Sequence, residues 1–177
     1  MEWGVIGPRE VPRLWDRHLL NCAVVAELVP DSTGTLADVG SGAGLPGVVL
    51  AMLLPEVRVT LIEPLERRAK FLVECVSELK LGNAVVLRSR AEDVSGTLAV
   101  DVATARAVAP LDRLAPLAAG VVRRGGTVLA IKGSGAETEL AKAQSSLRRI
   151  GARGAEVLRA GHGRVDPATT VVRFFAR

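Results

Sequence analysis

The segment Asp38-Val39-Gly40-Ser41-Gly42-Ala43-Gly44-Leu45-Pro46-Gly47 places four glycines within eight residues. Glycine lets a backbone turn sharply and lets a ligand come close to it. Thr35 to Gly40 reads as a short apolar strand entering this turn. Leu45 to Leu54 reads as a helix that opens with Pro46 and ends before Pro55. A glycine turn between a strand and a helix is the setting in which such motifs hold a nucleotide-like ligand, outside the carboxyl ends of the strands. A turn serving structure alone would lose chain entropy at each glycine without an evident return.

Two cofactor types fit the spacing. Gly42 to Gly47 matches the dinucleotide fingerprint G-x-G-x-x-G. The longer stretch from Asp38 matches D-x-G-x-G-x-G, the pattern of S-adenosylmethionine-dependent methyltransferases. Asp38 separates the two. A carboxylate two residues before the first glycine would repel a pyrophosphate. S-adenosylmethionine has no phosphate and carries an ammonium and a sulfonium, which a carboxylate favours. The turn thus offers Asp38, Gly40, Ser41, Gly42 and Gly44 as cofactor contacts.

Further candidates stand at the ends of later strands. Glu63 lies 19 residues after Gly44, near the ~20 at which an acid accepts the ribose hydroxyls of an adenosine cofactor. Ala91-Glu92-Asp93 follows the third strand, where a backbone N–H and a carboxylate can meet an adenine. A surface acidic pair is the plainer reading of that position. Arg106 ends the fourth strand, beside the expected methyl-transfer point, and could hold the cofactor's carboxylate or a substrate phosphate. Lys132 holds the matching place after the fifth strand. For both, an ordinary surface cation is the alternative.

Strand and helix alternate along the chain. Helices are expected at Glu10 to Val29, Leu65 to Leu81, Asp112 to Arg123 and Glu137 to Ile150. Further strands are expected at Val57 to Glu63, Ala84 to Arg88, Val100 to Ala105, Gly126 to Lys132, Ala155 to Arg159 and Thr169 to Phe175. This is βαβ spacing, which predicts an α/β fold with a mostly parallel twisted sheet and helices on both faces. Only a loop, Ala160 to Ala168, joins the last two strands, so they pair antiparallel. A parallel sheet ending in an antiparallel hairpin is the Rossmann-like architecture of class I methyltransferases. The same loop, with two glycines and a proline, is the expected mobile segment.

The chain has 177 residues, and one domain over 1–177 is expected. Net charge is +4, from 19 Arg and 4 Lys against 19 acids. From Leu140 to Arg177, eight basic and two acidic residues give +6, a third that could meet an anionic partner. Cys22 and Cys75 lack metal-ligand spacing, so no metal is expected, and buried free thiols fit a reducing cytoplasm. The longest apolar run is far short of the ~20 residues that span a bilayer. A cytoplasmic protein with no membrane partner is expected, and nothing demands more than a monomer.

What is absent narrows the chemistry. Ala105-Arg106-Ala107-Val108 stands where a methyltransferase of exocyclic amines carries an Asn/Asp-Pro-Pro-aromatic tetrad. No cysteine occupies a place from which it could add to a pyrimidine. The acceptor should already be nucleophilic, as guanine N7 is, and then no general base is required. Arg106 and Lys132 become positioning candidates.

The chain resembles the small-subunit ribosomal RNA guanine-N7 methyltransferase family, also called glucose-inhibited division protein B. The resemblance rests on Asp38 to Gly47, Arg17-His18-Leu19-Leu20, Lys70-Phe71-Leu72, Arg90-Ala91-Glu92, Ala105-Arg106-Ala107 and Leu129-Ala130-Ile131-Lys132-Gly133. It covers nearly the whole chain. It implies cofactor contacts at Gly40, Leu45, Ala91, Glu92 and Arg106, and RNA-side roles for Arg17, His18 and Lys132. It implies small-subunit (16S) ribosomal RNA as the partner, with no DNA. The segment 1–30 is shorter than the N-terminal helical segment of such proteins, which leaves its contribution to stability or RNA contact open. A small-molecule methyltransferase of the same fold would need a closed apolar acceptor pocket, for which three Phe, two Trp and no Tyr are meagre. A non-catalytic RNA-binding or assembly factor should have lost Asp38, the glycines or Glu63, and none is lost.

Overall fold

The computed structural model describes residues 3–177; Met1 and Glu2, the first positions of the expected N-terminal segment, lie outside the described residues. The strands are β1 (Thr35–Val39), β2 (Arg58–Ile62), β3 (Ala84–Leu87), β4 (Val100–Arg106), β5 (Val122–Lys132), β6 (Arg153–Ala160) and β7 (Thr169–Phe175). They form one sheet in the order β3-β2-β1-β4-β5-β7-β6. The first five are parallel, and β7 runs antiparallel between β5 and β6. The expected parallel sheet with an antiparallel end is therefore present.

Helices α1 (Leu20–Ala23), α2 (Gly47–Leu53), α3 (Glu66–Glu78), α4 (Leu111–Gly120) and α5 (Ala136–Arg149) cover the sheet. Alternation along the strands sends side chains into two cores. On β5, Val128 and Ala130 face one core with Leu111 and Leu114 of α4 and Leu147 of α5. Leu129 and Ile131 face the other, with Leu50 of α2, Leu72 of α3 and Val25 of the N-terminal segment. The central strands β1 and β4 are thus covered on both faces, as a parallel sheet flanked by helices requires.

Element boundaries shift by a few residues, and two regions differ most from expectation. The helix expected to Arg123 ends at Gly120, and β5 begins at Val122. Val121 and Val122 are buried, Val100 N–H donates to Val121 O, and a register shift follows where β4 meets β5. Helical spacing cannot reveal such a bulged strand start. The N-terminal helix runs from Pro8 to Leu28 but changes pitch, from 3₁₀ (Pro8–Arg13) through a π-type turn (Leu14–Leu19) and α1 to 3₁₀ again (Val24–Leu28). Pro12 lies inside it and has no N–H to give to an α-helical ladder.

Asn83 ties three carbonyls at and beyond the last turn of α2 with one amide: Nδ2 donates to Ala51 O (2.9 Å), Leu54 O (3.1 Å) and Val57 O (3.0 Å). Asn83→Ala should lower unfolding stability by about 1–2 kcal/mol. A urea titration monitored by circular dichroism measures this, and an unchanged midpoint would refute it.

The expected mobile loop after Ala160 is held at its start, where Gly161 N–H donates to Glu27 Oε1 at 2.6 Å. Among the described residues, no helix is long and apolar enough to cross a membrane. Among them, no three or more His, Cys, Asp or Glu side chains gather as metal ligands would.

Candidate active site

Strand β1 sits between β2 and β4, so the connections on either side of it run in opposite directions and open a crevice at the carboxyl ends. The glycine turn enters that crevice. Gly40 takes φ +69°, and a Cβ there would lie 2.8 Å from Val108 Cγ2. The turn is pinned to the end of β2: Ser41 N–H donates to Ile62 O and Gly42 N–H to Glu63 Oε2, both at 2.9 Å. Leu65 N–H donates to Glu63 Oε1, also at 2.9 Å. Glu63 is only 2% exposed and is held by these two amides. Each of its oxygens keeps further acceptor capacity toward the space in front of it.

Asp38 is placed differently from the expectation. It is fully buried and lies beneath the turn, outside the cavity wall. Its Oδ2 accepts Gly47 N–H at 3.0 Å and its Oδ1 accepts the Thr104 hydroxyl at 3.2 Å. Its role is thus to fix the turn to α2 and β4 rather than to face the ligand. Burial pushes its carboxyl from 3.8 up to about 6, against the opposing pull of the Gly47 and Thr104 hydrogen bonds. The folded protein then holds a proton between those values that the unfolded chain has released. The Asp38 contribution to stability should fall as pH rises from 3.8 to about 6, by about 3 kcal/mol, and be level above that window. Asp38→Asn should abolish this slope in pH-dependent denaturation, and an unaltered slope would exclude Asp38 as its source.

A cavity of about 580 Å³ opens above the turn. Gly40, Ser41, Gly42, Leu45, Glu63 and Arg106 line it together. Gly44 is buried behind the turn. Ala91 is buried in the core, and Glu92 starts a short 3₁₀ turn with its side chain exposed, so neither reaches this wall. Sequence reasoning missed the part of the lining formed by Val5, Ile6, Gly7 and Glu10 of the N-terminal segment. These arrive by the chain folding back, which no local spacing announces.

Arg106 connects the β4 end to that segment. Its Nη1 donates to Cys22 Sγ at 3.2 Å and its Nη2 to His18 Nδ1. A guanidinium only donates, so Nδ1 accepts, and Nε2–H then donates to Glu10 Oε2 at 2.8 Å. The hydrogen bond from His18 holds the Glu10 carboxyl below the usual range. Burial pushes the Cys22 thiol up to about 11, which keeps it protonated and unreactive.

A second cavity, of about 780 Å³, shares Glu10, His18 and Arg106 with the first. Arg17, Lys132, Glu139 and Arg159 also line it. Arg17 is exposed. Lys132 is not a free RNA-side cation: its side chain is 7% exposed, and Nζ lies 2.8 Å from both Ala109 O and Glu139 Oε2.

Comparison with known proteins gives a family. A family model described as rRNA small subunit methyltransferase G matches residues 1–164. A relative from Thermobifida fusca named ribosomal RNA small subunit methyltransferase G is 58% identical, over 96% of this chain and 71% of its own length. One of the same name from Streptomyces avermitilis is 55% identical over the same shares. Among solved structures, a SAM dependent methyltransferase from Aquifex aeolicus superposes with TM-score 0.66 at 23% identity, over 97% of this chain and all of that one. A SAM-dependent O-methyltransferase from Thermotoga maritima gives 0.69 at 14% identity, over 88% and 64%. Those two likenesses speak for the fold. The sequence matches speak for the family, and the chain belongs to the rRNA small subunit methyltransferase G family and is an S-adenosylmethionine-dependent methyltransferase.

Proposed function

We propose that this protein transfers a methyl group from S-adenosylmethionine to N7 of one guanine in small-subunit ribosomal RNA. Ribosomal RNA is the substrate class carried by the family's name. The observation that best supports the N7 reading is the wall between the two cavities. Its histidine, His18, has both ring nitrogens engaged, one accepting from Arg106 and one donating to Glu10. Both nitrogens thus serve the protein's own contacts, and attack by guanine N7 releases no proton that a base would have to receive. The acceptor's lone pair does the chemistry, and the protein's share is placement of the reacting atoms in line.

The residues of the first cavity fit S-adenosylmethionine. Glu63 presents a buried carboxylate suited to ribose hydroxyls, and Arg106 a guanidinium suited to the amino-acid carboxylate. Gly40, Ser41, Gly42 and Leu45 supply the close backbone, while Asp38 and Gly44 shape the turn from behind. Ala91 and Glu92 stand at the end of β3, where they would meet an adenine reaching past the wall. When bound, the cofactor supplies a methyl made electrophilic by its sulfonium. Residues 1–177 act as one domain in this reading, and the protein works as a cytoplasmic monomer.

The test uses methyl-labelled S-adenosylmethionine with small subunits from a strain lacking the activity, and free ribosomal RNA in parallel. Label in 7-methylguanosine at a single site is expected. Cofactor binding without label in either RNA would shift the reading to a small-molecule acceptor.

A further inference from the structure

The second cavity has a volume within the range of sites that take a molecule of nucleotide size. Its two parts differ. One is the wall shared with the first cavity, at Arg106, His18 and Glu10. The other carries Lys132 and Glu139, which do not touch the first cavity. There the Glu139 carboxylate is fixed through a single oxygen. Oε2 lies 2.8 Å from Lys132 Nζ and accepts Leu111 N–H at 3.1 Å. Lys132 is in turn anchored on Ala109 O. Among the described residues Oε1 has no partner, and the side chain is 37% exposed along the cavity. The result is a rigid acceptor with an unused oxygen.

A purine whose N7 faces the shared wall turns its Watson–Crick edge away from it, toward Glu139. Guanine offers two adjacent N–H donors there, N1–H and the 2-amino group, which match a carboxylate. Adenine offers a lone pair at N1, which a carboxylate repels. We propose that Glu139 selects guanine in this cavity by accepting from N1–H and the 2-amino group, with Lys132 holding the carboxylate in place. Arg17 and Arg159, both exposed on the same cavity, suit the flanking phosphates. The inference rests on the N7 reading above and adds the residue that reads the base.

The experiment compares small subunits whose target base is guanine with subunits in which the ribosomal RNA gene encodes adenine there, because adenine N7 also has a free lone pair. Initial methylation rates are measured for the wild-type protein, Glu139→Gln and Glu139→Asp. Glu139→Gln should reduce the guanine-over-adenine preference by about 10- to 100-fold, with Glu139→Asp in between. Its cofactor affinity and cosedimentation with subunits should match wild type; its melting temperature should fall, because Lys132 loses its paired charge, and the rates are compared below it. If the two rates fall in proportion, or the guanine-over-adenine preference stays near wild type, this inference is overturned and the N7 reading stands. If wild-type protein places no methyl on guanine N7, both are overturned.

Discussion

Glu63→Ala should weaken S-adenosylmethionine binding by about 100-fold or more, since charge-assisted hydrogen bonds to a buried carboxylate are lost and the donors are left bare. The carboxylate is 2% exposed and receives Gly42 N–H and Leu65 N–H, one on each oxygen. Removing it therefore also frees the tip of the glycine turn from the end of β2. Glu63→Gln should fall between wild type and alanine. It keeps one acceptor oxygen but sets an amide N–H against one of the two backbone donors. Isothermal titration with S-adenosylmethionine reads the effect directly. An alanine variant that binds within threefold of wild type would remove Glu63 from the cofactor's contacts.

Gly47→Ala should be the most damaging single-methyl change in the turn. A Cβ at this position would lie 2.4 Å from Leu61 Cδ2, 2.6 Å from Asp38 Oδ2 and 2.7 Å from Asp38 Cβ. None of these can yield easily: Leu61 and Asp38 are fully buried on adjacent strands. To make room, the start of α2 must move, which stretches the Gly47 N–H bond to Asp38. The expected cost is about 3 kcal/mol, or roughly 10 °C in melting temperature for a chain of this size. Gly133→Ala is the control, because nothing lies within 4 Å of its Cβ position. Equal melting temperatures for the two variants would contradict this account of the turn.

The parallel sheet and the crevice were legible because one motif, Asp38 to Gly47, fixes a strand, a turn and a helix in sequence. Glu63 and Arg106 were legible because strand ends in this topology converge on the same crevice. The direction of Asp38 was not. A carboxylate at the end of β1 can face the ligand or the underside of the turn, and the choice depends on the space that Gly47 leaves beneath it. Lys132 read correctly as a strand-end cation, but its partner Glu139 sits beyond a strand–helix connection, and an ion pair across it leaves no mark in the local pattern. The wall built from Val5 to Glu10 was hidden for the same reason: those residues matter through where the N-terminal segment returns to the crevice.

Arg106 is part of both cavities, and it is tied through His18 to Glu10, which is part of both as well. A cofactor and a base held by the same guanidinium, as proposed above, would be linked through it. Whatever factor a bound cofactor imposes on the affinity for the base, the base must impose on the affinity for the cofactor. The spent cofactor and the methylated base are bound by that same reciprocity, so the departure of either one alters the hold on the other.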